Sequence, residues 1–161
     1  MVAGHDRFAE QMPSPSSLGH DHAVTEPLPP TAVPYELTVR VEPADLDDQV
    51  HVNNVVYVRW VQDAAVAHWQ ALTSEAVRAE VAWVLLRHEI DYRSPAVLGD
   101  EIVVRTQVGH LEGLTFERLT TIRHAGDGRT LAQSRTLWCP IDPRTGRPRR
   151  VSAALRALFS V

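Results

Sequence analysis

The sequence predicts an α+β domain in which one long helix is wrapped by a five-stranded antiparallel sheet. Three observations predict it. Only one stretch before the C-terminus has strong helical periodicity: Val55, Val58, Val61, Ala65, Trp69 and Leu72 recur at spacings of three and four. Five other stretches, 35–41, 82–92, 101–111, 115–124 and 130–140, read as strands. Glycine-bearing connections, Leu98-Gly99-Asp100, Glu112-Gly113 and Gly126-Asp127-Gly128, join the later strands, as expected of antiparallel neighbours in a meander.

Residues 13–34 hold six of the eleven prolines among serine, glycine and acidic residues. Such a composition buries too little apolar surface to offset ordering entropy, so residues 1–34 are expected to be a disordered tail and residues 35–161 the folded domain. His5, His20 and His22 lie in that tail at irregular spacing, which suggests no metal site. Tyr35, Leu37, Val39 and Val41 alternate with polar residues, and Pro43 ends that first strand. A polar loop, Asp45 to Asn53, leads into the helix, with Asn53 or Asn54 as the N-cap. Four strands follow. On the first, Val84, Leu86, His88 and Ile90 share an apolar face opposite Arg87, Glu89 and Asp91, so His88 reads as a core histidine. After a turn at 142–148, Ser152 caps a short final helix.

A single helix on five strands leaves long edges and an exposed sheet face, and pairing with a second copy through the sheet is the ordinary remedy. A homodimer or homotetramer is therefore expected.

Composition excludes several function classes. There are 16 basic and 20 acidic residues, a formal charge of −4, with no long basic block, so neither a nucleic acid nor a membrane partner is expected. Every basic residue is arginine, which removes lysine Schiff-base chemistry. Cys139 is the only cysteine, so no internal disulfide or thiolate metal cluster is available, and a cytoplasmic location fits. The longest apolar run, Val81 to Leu86, is far short of a bilayer span. Arg147, Arg149 and Arg150 form a small basic cluster, read as a solvated patch rather than a phosphate site.

The chemistry is concentrated in residues 45–60, Asp-Leu-Asp-Asp-Gln-Val-His-Val-Asn-Asn-Val-Val-Tyr-Val-Arg-Trp. Carboxylates, an imidazole and two carboxamides are delivered to a helix N-terminus, whose unpaired N–H groups can be capped, bind an anion or polarise a carbonyl. Asp47 and His51 stand where a reacting carbonyl could be attacked. Taken alone, Asp and Asn at such a place are most often turn formers and caps.

These residues resemble the hot dog fold acyl thioesterases, in particular the 4-hydroxybenzoyl-CoA thioesterase-like branch and the related acyl-ACP thioesterases. The resemblance runs from Tyr35 to about Ser152. It rests on Asp45-Leu46-Asp47, on His51-Val52-Asn53-Asn54-Val55-Val56-Tyr57 with Trp60, and on Ile90-Asp91-Tyr92-Arg93-Ser94-Pro95-Ala96 through Gly99-Asp100. It implies hydrolysis of an acyl-CoA or acyl carrier protein thioester, with Asp47 as base or nucleophile. It also implies that Asn54, seven positions on, supplies the helical amide that polarises the carbonyl, and that His51 assists. Gln49, Asn53, Tyr57 and Asp91 fall at positions expected to bind substrate. Gln49 stands where the acyl-ACP branch has Asn, and Val50 where many members have glycine. No metal and no cofactor are expected, coenzyme A entering only as part of the substrate. A placed carboxylate and one oxyanion donor suffice for a thioester, whose thiolate leaves readily. Two other readings remain open, a non-catalytic acyl-CoA or acyl-ACP binding protein of the same fold and a hydroxyacyl dehydratase, although no dehydratase motif is found.

Overall fold

The computed structural model describes residues 33–159. The tail, with its three histidines, lies outside them, apart from its last two residues. Strand β1 is Tyr35–Arg40, and a 3-10 turn, Pro43–Asp45, follows it. Helix α1 is Asn54–Leu72, 19 residues, capped by Asn53, whose side chain accepts from the Val55 N–H at 3.0 Å. A second helix, α2, Glu75–Glu80, is one the sequence periodicity did not show; Ser74 caps it, and the Arg78 guanidinium donates to the Thr73 carbonyl. Strands β2 (Ala82–Tyr92), β3 (Glu101–Glu112), β4 (Thr115–His124) and β5 (Thr130–Ile141) come next. Helix α3, Ala153–Leu158, is capped by Ser152.

The sheet has five antiparallel strands in the order β1-β3-β4-β5-β2. Only β3, β4 and β5 form the expected meander. Leu98-Gly99-Asp100 is not a hairpin, because β2 pairs with β5 at the far edge. The connection 93–100 instead crosses the end of the sheet. The Arg93 and Ser94 N–H groups donate to the Leu131 carbonyl, the Gly99 N–H donates to Val41, and the Val41 N–H donates to Asp100. Gly99, at φ +84°, makes the turn that this double link to Val41 requires. The connection also passes beneath α1, where the Tyr57 hydroxyl accepts from the Ala96 N–H at 2.9 Å.

Alternation on β2 is broken between Leu85 and Arg87, where two residues of β2 oppose one step on β5. The side chains change face there. His88 and Ile90 are half-buried as expected, but Val84 and Leu86 are exposed, and Trp83 is turned inward instead. His88 Nε2 lies 2.9 Å from Ser134 Oγ, and burial lowers the imidazole's affinity for a proton.

Helix α1 lies across β1 and β3 and divides the core in two. Its first half packs Val56, Tyr57, Trp60, Val61 and Ala64 against Val41, Ile102, Val104, Ile122 and Leu131. Its second half places Trp69 and Leu72 against a more aromatic cluster that includes Trp83, Phe116, Trp138 and Phe159.

Candidate active site

The Asp45–Asn53 loop is a small hairpin. The Asn53 N–H donates to the Asp45 carbonyl at 2.9 Å, Leu46 and Val52 form a bridge, and the Asp47 N–H donates to His51 at 2.8 Å. Val50 closes the tip with φ +64°, its N–H bonded to the Asp47 carbonyl. Asp47 shapes this tip as well as occupying it. One carboxylate oxygen, Oδ1, accepts from the Gln49 N–H at 2.8 Å and the His51 N–H at 3.2 Å. The other, Oδ2, has no hydrogen-bond donor among the described residues.

Asp45 has a different task. It is buried, and its Oδ1 lies 2.6 Å from Arg59 Nη2 while its Oδ2 accepts from the Glu42 N–H. Burial pushes its carboxyl up, but the Glu42 N–H and the Arg59 guanidinium outweigh that and hold it below the usual carboxylate range. Arg59 projects from the second turn of α1, so this pair ties the root of the hairpin to the helix.

At the helix start, Asn53 satisfies two of the orphan donors: its side chain takes the Val55 N–H and its carbonyl the Val56 N–H. The Asn54 N–H has no acceptor among the described residues. Tyr92, at the end of β2, donates from its hydroxyl to the Asn54 carbonyl at 3.1 Å, and its ring stands edge-on to Tyr57.

The seven residues expected from the sequence thus divide. Asp47, Gln49, His51 and Asn54 stand together on the hairpin and helix entry, with Gln49, His51 and Asn54 exposed. Asn53 also lies there, with its side-chain oxygen occupied as the helix cap. Tyr57 is corrected from substrate contact to core: it is 3% exposed and its hydroxyl is held by Ala96. Asp91 stands apart from the helix entry. Alternation puts it on the opposite face of β2 from Tyr92, where it pairs with Arg93 at 3.3 Å instead of facing the helix start. Sequence reasoning missed Tyr92 and Arg59. The signal for Tyr92 was an aromatic residue on the face of Ile90 at a strand end.

Among the described residues, no group of three or more His, Cys, Asp or Glu side chains could hold a metal, and no helix is long and apolar enough to cross a membrane. In the basic cluster, Arg149 donates to the Glu80 carbonyl at 2.7 Å.

A family model described as thioesterase-like superfamily matches residues 41–159. The long-chain acyl-CoA thioesterase FadM of Escherichia coli is 26% identical over 123 residues, covering 73% of this chain and 91% of its own. Among solved structures, a Thermus thermophilus thioesterase complexed with coenzyme A and Zn superposes with a TM-score of 0.70 at 24% identity, covering 79% of this chain and 98% of its own. The 1,4-dihydroxy-2-naphthoyl-CoA thioesterase Slr0204 from Synechocystis gives a TM-score of 0.70 at 18% identity, covering 79% and 96%. The fold is the hot dog fold that the sequence implied.

Proposed function

The chain belongs to the thioesterase-like superfamily and is a thioester hydrolase, and we propose that it cleaves acyl-CoA through Asp47 and the N-terminus of α1. The observation that carries this reading is the pair of unused groups at one helix entry: the second oxygen of Asp47 and the N–H of Asn54. Around them the Asp45 carboxylate, the first oxygen of Asp47 and the N–H groups of Gln49, Val50, His51, Asn53, Val55 and Val56 are engaged, while Asp48 is exposed on the hairpin.

In the proposed reaction the thioester carbonyl oxygen sits on the Asn54 N–H. That donor is already oriented along the helix axis and is reinforced by the helix dipole. Asp47 Oδ2 either takes a proton as water adds to the carbonyl carbon or attacks that carbon itself. The tetrahedral intermediate then collapses, the C–S bond breaks, and the thiolate leaves and is protonated; where Asp47 itself attacked, water next hydrolyses the mixed anhydride, which frees the acid and restores the carboxylate. The Gln49 and His51 N–H groups on Oδ1 hold the carboxylate aimed. His51, exposed at the rim, orients the thioester. The similarity to FadM favours a long acyl chain on coenzyme A. An acyl carrier protein is the other carrier this site would accept.

We further propose that the active form is a homodimer. Strand β2 is an outer edge of the sheet, 11 residues long, and carries exposed Val84, Leu85 and Leu86. An edge of that length and polarity pairs readily with a copy of itself.

The test is thiol release from acyl-CoAs of graded length by wild type and Asp47→Asn. Asparagine keeps an oxygen for the Gln49 and His51 amides, so the loop survives. A loss of at least about a hundredfold in kcat is expected. Full activity in the variant would remove Asp47 from the mechanism. Acyl-CoA binding without thiol release by the wild type would leave a binding protein of this fold.

A further inference from the structure

A cavity of about 250 Å³ opens between the second half of α1 and the β2, β4 and β5 strands. Its walls are aromatic: Trp69, Trp83, Phe116, Trp138 and Phe159. Among its polar lining residues is Arg118, on β4, which is only 7% exposed.

Arg118 is an unusual occupant of such a wall. Its Nη1 donates to Thr106 Oγ1 at 3.2 Å and lies 3.0 Å from His68 Nδ1, and no carboxylate pairs with it among the described residues. Glu117 also borders the cavity, but its carboxylate is engaged by Arg135 at 2.5 Å and by the His110 N–H. His68 supplies no negative charge. A guanidinium can only donate, so Nδ1 must be the acceptor, and the ring is neutral with its proton on Nε2. Burial pulls the guanidinium down to about 10, which leaves it protonated at neutral pH. An apolar cavity therefore holds one uncompensated positive charge, with Nε and Nη2 unbonded among the described residues. A buried cation of this kind is stabilised by an anion that fits the fork.

A path leads to it. Val55, Val58 and Val66 are exposed apolar residues, and with Gln62 they follow one another at spacings of three and four along one face of α1. That stripe starts beside Asn54 and ends at Gln62 and Val66, both of which line the cavity. The 12 steps from Asn54 to Val66 span about 18 Å at the helical rise, a distance suited to a long acyl chain.

We propose that this cavity binds the carboxylate of a long-chain acid, its apolar body against the aromatic walls and its charged end on Arg118. The chemistry is shared by two ligands: a free fatty acid, and an acyl thioester whose far end carries a second carboxylate. The second case rests on the thioesterase reading, since the thioester end must lie at Asn54.

The experiment has a binding arm and a turnover arm, both on the full chain. Tryptophan fluorescence reports binding, because three of the chain's four tryptophans line the cavity. Decanoate is expected to bind saturably and at least about tenfold more tightly than decan-1-ol, which has the same length and no charge. Arg118→Gln should erase that preference, and Val66→Phe, at the half-exposed mouth, should weaken decanoate binding. Equal binding of acid and alcohol by wild type overturns the proposal even if Arg118→Gln fails to fold. So does absence of binding, or a preference that survives in Arg118→Gln.

In the turnover arm, dodecanoyl-CoA is compared with its ω-carboxyl analogue. A KM at least about fivefold lower for the analogue, lost in Arg118→Gln, assigns the site to a substrate's far end. Equal KM values with tight decanoate binding assign it to the free acid. If no thioester is cleaved, the thioesterase reading fails while the acid–alcohol comparison still decides the cavity.

Discussion

The Tyr92 hydroxyl donates to the Asn54 carbonyl at 3.1 Å, so the last residue of β2 is bonded to the first residue of α1. The same peptide neighbourhood carries the unpaired Asn54 N–H on which the proposed oxyanion rests. Tyr92 is 45% exposed, and its hydroxyl can be rehydrated when the bond is lost. Tyr92→Phe is therefore expected to cost at most about 1 kcal/mol of stability. Its effect on thiol release should be larger in proportion: a several-fold fall in kcat with KM little changed, because the donor acts in the transition state. Thermal unfolding and steady-state thiol release on the same preparation check this. A change in KM alone would mean that Tyr92 touches substrate and does not position the helix.

The Asp45–Arg59 pair predicts an acid-sensitive hinge to the hairpin. The Asp45 carboxyl is held below its ordinary value of 3.8 when folded. Its contribution is thus fully present above the unfolded value and is lost as pH falls through the folded one. Asp45→Asn leaves Arg59, half exposed, able to return to water, and is expected to lower stability by about 1–3 kcal/mol at pH 7. Once pH falls below the folded value of Asp45, the variant and wild type should converge. Chemical denaturation at pH 7 and in acid measures both. A gap that stayed constant in acid would show that the ion pair is not the source.

His68 titrates in the same sense but over a higher pH range. Burial first, and the Arg118 charge second, lower its imidazole to about 4 from 6.5. The unfolded chain therefore binds a proton that the folded one refuses. Stability is full above pH 6.5, declines as pH falls toward 4, and over that window loses about 3 kcal/mol at ~1.4 kcal/mol per pH unit. His68→Gln, whose carboxamide oxygen can still accept from Arg118, should flatten the slope between pH 6.5 and 4. Urea midpoints at pH 7.5, 6 and 5 test it, and the Asp45 window lies below this range, so the two are separable.

What the sequence makes legible here is what is local. The cap at Asn53, the periodicity from Val55 to Leu72 and the Asp45–Asn53 loop depend on residues a few positions apart, and each stands within a residue of its expected place, although that loop is a small hairpin. The β2–β5 pairing joins residues some fifty positions apart, and a glycine in the 93–100 connection carries no information about which edge β2 will take. The bulge beside Leu86 has no signature in alternation, so it turned an expected core face outward.

Arg118 lies between these cases. Phe116, Arg118, Thr120 and Ile122 alternate on β4 and all point inward, so an arginine on the apolar face could be read from the sequence. Its bond to His68, 50 residues earlier, could not.

Val50 gives the final prediction. It is a β-branched residue at φ +64°, a backbone conformation in which its Cβ crowds the following carbonyl, and it is 64% exposed, so little apolar burial compensates. The left-handed region costs an ordinary residue about 1–2 kcal/mol, and glycine there costs only the extra freedom it has when unfolded, about 0.5–1 kcal/mol. Val50→Gly should raise stability by roughly 0.5–1 kcal/mol. The Val50 N–H to Asp47 bond survives the change, as do the Gln49 and His51 amides on the carboxylate. Thiol release is therefore expected to stay within about twofold of wild type. A stabilised variant with strongly reduced kcat would show instead that the strained tip holds Asp47 in its reactive position, and that relaxing the turn lets the carboxylate swing away.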